Sequence, residues 1–164
     1  PVAGGHGRSG LGKLAVIGAV EIVRDKQDQE APGRLRLAPI PNFSAATLET
    51  FITETIASKS TVRTDGWTGY TGLQQHTHEP HVVGAMAAHV VLPWIHRVFS
   101  NLKRWGLGVY HGLREKHLQS YLDEFVFRFN RRATPKAAFL SLLTIGTRIN
   151  HTTYNMLIAP ETKG

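Results

Sequence analysis

Asp65 and Asn101 are the residues of this chain whose types and spacing suit phosphodiester chemistry. Asp65 stands in TVRTDGWTGY and Asn101 in LPWIHRVFSNLKRW, with 35 residues between them. A carboxylate at a strand end, followed by an oxygen ligand on a later helix, can hold divalent cations against a nucleic-acid phosphate. In-line transfer needs the phosphate charge neutralised and both the entering and the leaving oxygen stabilised, which two Mg²⁺ ions about 4 Å apart accomplish. Hard cations take oxygen ligands, so an amide oxygen can stand in for one carboxylate, leaving a less negative site with weaker expected metal affinity.

The elements that must position these two residues follow from periodicity. KLAVIGAVEIV, Lys13 to Val23, is apolar and rich in β-branched residues, as a strand buried on both faces would be. RLRLAPI is its expected partner, with Leu35 and Leu37 alternating with Arg34 and Arg36. The intervening RDKQDQEAPG predicts a hairpin loop ending in a Pro32-Gly33 turn. Ser44 can cap a helix whose apolar residues Leu48, Phe51, Ile52 and Ile56 share one face. TVRTD then predicts a short strand ending at Asp65, and strand ends are where functional groups gather in open α/β sheets. His81-Val82-Val83 predicts a short edge strand.

Leu92-Pro93 opens a helix expected to run to about Trp105, with Gly106 marking its end. Ile95, Val98, Phe99 and Leu102 form its apolar arc, and Asn101 lies at the edge of that arc. Arg97 and Arg104 share the other flank of Asn101 and could grip phosphates. A second helix, about Lys116 to Arg132, should bury Leu118, Tyr121, Leu122, Phe125 and Phe129. PKAAFLSLLTIGTRI predicts one more short helix before the tail. Strand, strand, helix, strand, then helices implies an α/β domain.

Charge narrows the partner. The chain carries a net +7, and between Trp94 and Arg132 eight Lys or Arg face three acids, which places +5 in that segment. Cations clustered beside a candidate metal site suit a nucleic-acid backbone through phosphate contacts and counterion release. The absence of Cys excludes a disulfide framework and a thiolate metal site. No run approaches the roughly 18 apolar residues of a membrane span, and PVAGGHGRSGLGK lacks the apolar core of a signal peptide. A soluble cytoplasmic protein is expected.

Taken with YHGLREKHLQSYLDEFVFRFNRR, Tyr110 to Arg132, the spacing from Asp65 to Asn101 resembles the catalytic domain of DDE-type transposases of bacterial insertion sequences, in the subgroup whose third residue is Asn. The resemblance runs from about Lys13 to Arg132. It implies a ribonuclease-H-like (retroviral-integrase-like) α/β fold, a mixed sheet flanked by helices, with residues 1–12 a flexible Gly-rich lead and 133–164 a short helix and tail. It implies Asp65 as the second metal ligand, Asn101 as the third, and Mg²⁺ or Mn²⁺ as a pair of ions in the intact site. Arg97, Lys103, Arg104, Lys116, Arg131 and Arg132 become the expected DNA contacts. A basic residue after the third ligand handles DNA in the family; Arg104 is best placed by helix geometry, with Lys103 and Lys116 as alternatives.

The family's first Asp precedes a Gly-Gly element that Gly4 and Gly5 resemble. With the sequence starting at Pro1, that Asp and its strand are expected to be missing, and the chain to be an amino-terminally truncated fragment without catalysis of its own. Element ends and target DNA are the implied partners, a homo-oligomer the implied assembly and the bacterial nucleoid the implied location. Two other classes fit the residues: a non-catalytic basic DNA-binding or assembly module derived from a transposase, and a ribonuclease-H-like nuclease with no joining step.

Other motifs carry less. His76, His78 and His81 in HTHEPH superficially resemble a transition-metal site, but Pro80 and the polar context predict a solvated loop. GLGKL lacks the full phosphate-loop pattern, so no nucleotide cofactor is expected. Trp67 and Tyr70 beside Asp65 either stack on a base or pack in the core, with packing expected for at least one. His96, His111 and His117 fit DNA-facing or packed positions equally.

Overall fold

In the computed structural model, which describes residues 14–70, 72–81, 88–149 and 153, strand β1 (Val16–Arg24) pairs antiparallel with β2 (Glu30–Pro39). The hairpin closes at Asp25 to Gln29 rather than at Pro32-Gly33. The Asp25 carboxylate accepts from the amides of Gln27 and Gln29, both at 2.9 Å, and Asp28 takes a left-handed φ of 60°. An Asx-type turn of this kind satisfies main-chain donors locally and outcompetes the Pro-Gly signal downstream. Pro32 and Gly33 instead lie within β2, where the register shifts between Val20 and Ile22. There Glu21 faces the bulge, and its carboxylate accepts from the Arg34 amide at 3.0 Å.

The two faces of the hairpin bury separate cores. Leu35 and Leu37 of β2, with Val16 and Val20 of β1 beside them, pack against helices α3 (Pro93–Tyr110) and α4 (Leu118–Asn130) through Val98, Leu102, Leu118, Leu122 and Phe125. On the opposite face Ile17 joins Leu48, Phe51 and Ile52 of α1 (Ala45–Thr55), Val62 of β3 (Thr61–Thr64) and Leu73. A strand buried on both faces was expected of residues 13–23; Ile17 is the β1 residue that is fully buried, and the strand opens to solvent from Glu21 onward. Leu122 is wholly buried, and truncating a side chain so enclosed costs about 2–5 kcal/mol.

Ser44 caps α1 as expected, its hydroxyl accepting from the Thr47 amide at 3.3 Å. Strand β4 (Thr77–Pro80) lies parallel to β3. HTHEPH is therefore not a loop: main-chain pairing of Thr61–Thr64 with Thr77–Pro80 draws its centre into a strand. The edge strand expected at His81-Val82-Val83 ends before His81 in this form, and Val82 and Val83 lie outside the described residues, as do the Gly-rich lead, Gly4, Gly5 and most of the tail. A single helical turn, α2 (Ala88–Val91), precedes α3.

Helix α3 continues past Trp105 to Tyr110 and ends where His111 adopts a left-handed φ of 54°. Gly106 does not end it. It sits buried in the helix because the loop beyond returns Leu113 onto it; a Cβ there would meet Leu113 Cδ2 at 2.8 Å. The next helix is shorter than 116–132, a 3₁₀ turn (Glu115–His117) leading into α4. Leu118, Leu122 and Phe125 are buried as expected, while Tyr121 and Phe129 are half-buried. Tyr110 donates to the Glu124 carboxylate, which also accepts from Arg128 Nε at 2.8 Å, tying the end of α3 to α4.

The end of α4 closes the outer edge of β2. Asn130 accepts from the Leu35 amide at 2.7 Å and donates to the Leu35 carbonyl at 3.0 Å. Arg132 donates to the carbonyls of Pro32, Gly33 and Phe129. The final helix, α5 (Pro135–Arg148), contains no buried residue.

Candidate functional site

Asp65 follows β3 directly, at the strand end where the sequence predicts it. The residues that hold it come from both β3 and β4. Thr64, 6% exposed, is the one buried polar residue among the described residues. Its Oγ1 lies 2.9 Å from His78 Nε2 and accepts from the Gly66 amide at 3.3 Å. Its carbonyl accepts from the His81 amide at 2.8 Å. Asp65 Oδ1 in turn accepts from the Trp67 amide at 3.3 Å, and the half-buried carboxylate sits at a chain reversal where Gly66 has φ 74°.

Trp67 and Tyr70 make an edge-to-face pair with centroids 6.1 Å apart and pack against the α1 side of the core. Packing thus accounts for both rings. Arg63 donates to Glu30 at 2.8 Å and to Glu79 at 3.3 Å. The hydrogen bond from Arg63 holds the Glu30 carboxyl below its ordinary range, and this guanidinium braces β3 against the hairpin instead of facing a ligand.

Asn101 is exposed on α3, whose Val98 and Leu102 are buried to either side of it in sequence. The helix can lie this close to β1 because Gly18 has no side chain; a Cβ there would meet Ile95 Cδ1 and Phe99 Cζ at 3.3 Å. Helix α3, which carries Asn101, contributes Val98 and Leu102 to one core, whereas β3, which leads to Asp65, contributes Val62 to the other. A cleft of about 450 Å³ lined by Glu49, Thr53, Gly72, Leu73, Gln74, Gln75 and His76 contains neither residue.

Arg97, Lys103, Arg104, Lys116 and Arg132 are exposed and Arg131 is half-buried. Arg97 lies 4.8 Å over the Trp94 ring and Arg131 4.2 Å over Phe127, contacts that hold a guanidinium in place while leaving N–H edges for phosphate. Arg132 also covers Phe129 at 4.3 Å, but its donors already serve main-chain carbonyls. His111 caps α3, and His117 packs edge-on to Tyr121. The sequence reading did not single out Thr64 and set His78 in a solvated loop, whereas it lies in β4. The position of Thr64 directly before the carboxylate was the available signal, while His78 required the β3–β4 register.

A family model of the ISXO2-like transposase domain matches residues 2–130. The chain belongs to this family of DDE-type insertion-sequence transposases. Comparison with curated proteins and with solved structures returned no match. DDE transposases generally use divalent metals, and the Asp65 carboxylate and Asn101 amide are oxygen donors of the kind such ions take. Among the described residues no three His, Cys, Asp or Glu gather into one cluster. The transposase family implies DNA binding, and no described helix is long and apolar enough to cross a membrane.

Proposed function

We propose that this chain is the catalytic core of a DNA transposase that cleaves and joins phosphodiesters at element ends, with residues 13–132 forming the core. The family match over residues 2–130 carries this reading. Asp65 and Asn101 would be the second and third ligands of Mg²⁺ or Mn²⁺, and the ions, when bound, would neutralise the phosphate and stabilise the entering and leaving oxygens. Both small sheets would belong to one ribonuclease-H-like mixed sheet; the core shared by Ile17 and Val62 supports that.

The chain's own residues bind and orient the DNA. Arg97 and Arg104 flank Asn101 on α3, so a phosphate lying along that helix meets an amide between two guanidinium groups. Lys103 and Lys116 extend the cationic surface, and Arg131 adds a ring-supported guanidinium. Arg132 contributes charge more than donors, since three of its five N–H groups serve main-chain carbonyls. The protein would act on element ends and target DNA as a homo-oligomer.

The test is divalent-metal-dependent nicking of supercoiled plasmid by this chain and by Asp65→Ala. Nicking abolished by Asp65→Ala supports the assignment. DNA binding without cutting removes catalysis and leaves a basic binding module.

A further inference from the structure

We infer that Thr64 and His78 are positioning residues for Asp65, acting as a relay that fixes the strand-end turn on which the carboxylate sits. This rests on the reading of Asp65 as a metal ligand. Thr64 is the residue immediately before Asp65, and its side chain points away from solvent to bridge two elements: Gly66 just after the carboxylate, and His78 on the parallel neighbour β4. A hydroxyl can accept twice and donate once. Oγ1 accepts from the Gly66 amide and shares a second hydrogen bond with His78 Nε2, so the relay links Gly66, Thr64 and His78. The Thr64 carbonyl is held as well, by the His81 amide at 2.8 Å.

The backbone on both sides of Asp65 is therefore tied to β4, and the carboxylate accepts from the Trp67 amide within the same turn. The Tyr70 ring lies beside the imidazole, its centroid 6.3 Å from that of His78. A buried hydroxyl satisfied on both sides in this way fixes one geometry, and one left half-satisfied does not. His78 is thus placed to serve the site through Thr64 without touching substrate.

The experiment uses the full 164-residue chain and two NMR readouts: hydrogen exchange of the Gly66 and Trp67 amides, and their paramagnetic broadening by Mn²⁺. Thr64→Val keeps the β-branched shape in the buried position and removes the hydroxyl. It should fold, with Gly66 exchange faster and the Mn²⁺ midpoint higher by about tenfold each, the scale of one lost hydrogen bond. His78→Leu should reproduce both changes. Thr64→Ser and His78→Gln, which keep a hydroxyl and a polar atom in place of Nε2, should stay within about threefold of wild type.

Unchanged exchange in both Thr64→Val and His78→Leu overturns the inference. So does a Thr64→Ser protein as impaired as Thr64→Val, since packing of the methyl group would then explain the effect. Asp65→Ala, which leaves no side-chain oxygen, separates the two levels. If Mn²⁺ still broadens these amides in Asp65→Ala, the metal-ligand reading fails, and the Mn²⁺-dependent part of the positioning role fails with it. If Mn²⁺ broadening is lost there yet is insensitive to Thr64→Val and His78→Leu, the metal reading stands and the positioning role is overturned.

Discussion

Gly106 gives the sharpest test of the packing. Ala is about 1 kcal/mol better than Gly inside a helix, so an unopposed Gly106→Ala would stabilise the protein by that amount. Here the new methyl would lie 2.8 Å from Leu113 Cδ2 and 2.9 Å from Cγ, whereas carbon atoms prefer about 3.5–4.0 Å. Leu113 must move by roughly 1 Å, and overpacking of this kind costs about 1–3 kcal/mol. The net expectation is a loss of about 0–2 kcal/mol. In a Leu113→Ala background the obstacle is gone, and Gly106→Ala should stabilise by about 1 kcal/mol. A double-mutant cycle by urea denaturation should therefore give a coupling of about 1–3 kcal/mol at unchanged m-value. Gly108 is the internal control: it lies on the same helix with nothing within 4 Å of a Cβ, so Gly108→Ala should stabilise by about 1 kcal/mol in either background. A Gly106→Ala protein as stabilised as Gly108→Ala, with no coupling to Leu113, would refute the contact and with it the continuation of α3 beneath the Leu113 loop.

Ser44→Ala removes the α1 cap and should cost about 1 kcal/mol in thermal or chemical denaturation; no change would mean that the bond from the Thr47 amide to the Ser44 hydroxyl adds nothing to stability. Tyr110 holds the Glu124 carboxyl below its ordinary range, and Glu124 raises the Tyr110 phenol. The lowered carboxyl stabilises the fold above the ordinary carboxylate range and loses that effect as pH falls through its folded value; the raised phenol stabilises below its ordinary range and loses it as pH rises. Stability of Tyr110→Phe should accordingly fall less steeply at both the acid and the alkaline limb, and limbs identical to wild type would contradict the pairing. Arg97→Ala and Arg104→Ala should each lower the slope of log K against log salt for duplex DNA by about 0.9, measured by fluorescence anisotropy; an unchanged slope in the double variant would take α3 out of the DNA interface.

The α1 face and its Ser44 cap, the apolar arc of α3 and the strand leading to Asp65 were legible in the sequence because each rests on local spacing or on a single capping side chain. Pro32-Gly33 misled because a bulge in β2 absorbs those residues, and the turn is made instead by the Asp25 carboxylate. Gly106 misled for a related reason: helix propensity argues for an end there, and only the return of Leu113, seven residues on, explains why a small residue is needed inside the helix. THEP lacks a strand's composition and becomes one through pairing with β3, which is also why the contact between His78 and Thr64 was invisible. Asp65 follows β3 at the strand end that TVRTD predicts. Asn101 is exposed at the edge of the buried arc of α3, as helix periodicity places it, while the division of Val62 and the α3 residues between two cores depends on which strand faces are covered.

Asn130 and Arg132 guard one stretch of the β2 edge. Holding the main-chain groups of Leu35, Gly33 and Pro32, they do there what a neighbouring strand would do, but present no further row of donors and acceptors. A strand arriving along residues 32–35 would have to displace both side chains before it could pair. Ribbon formation, the usual hazard of an exposed strand edge, is opposed along that stretch by two side chains at and just beyond the end of one helix.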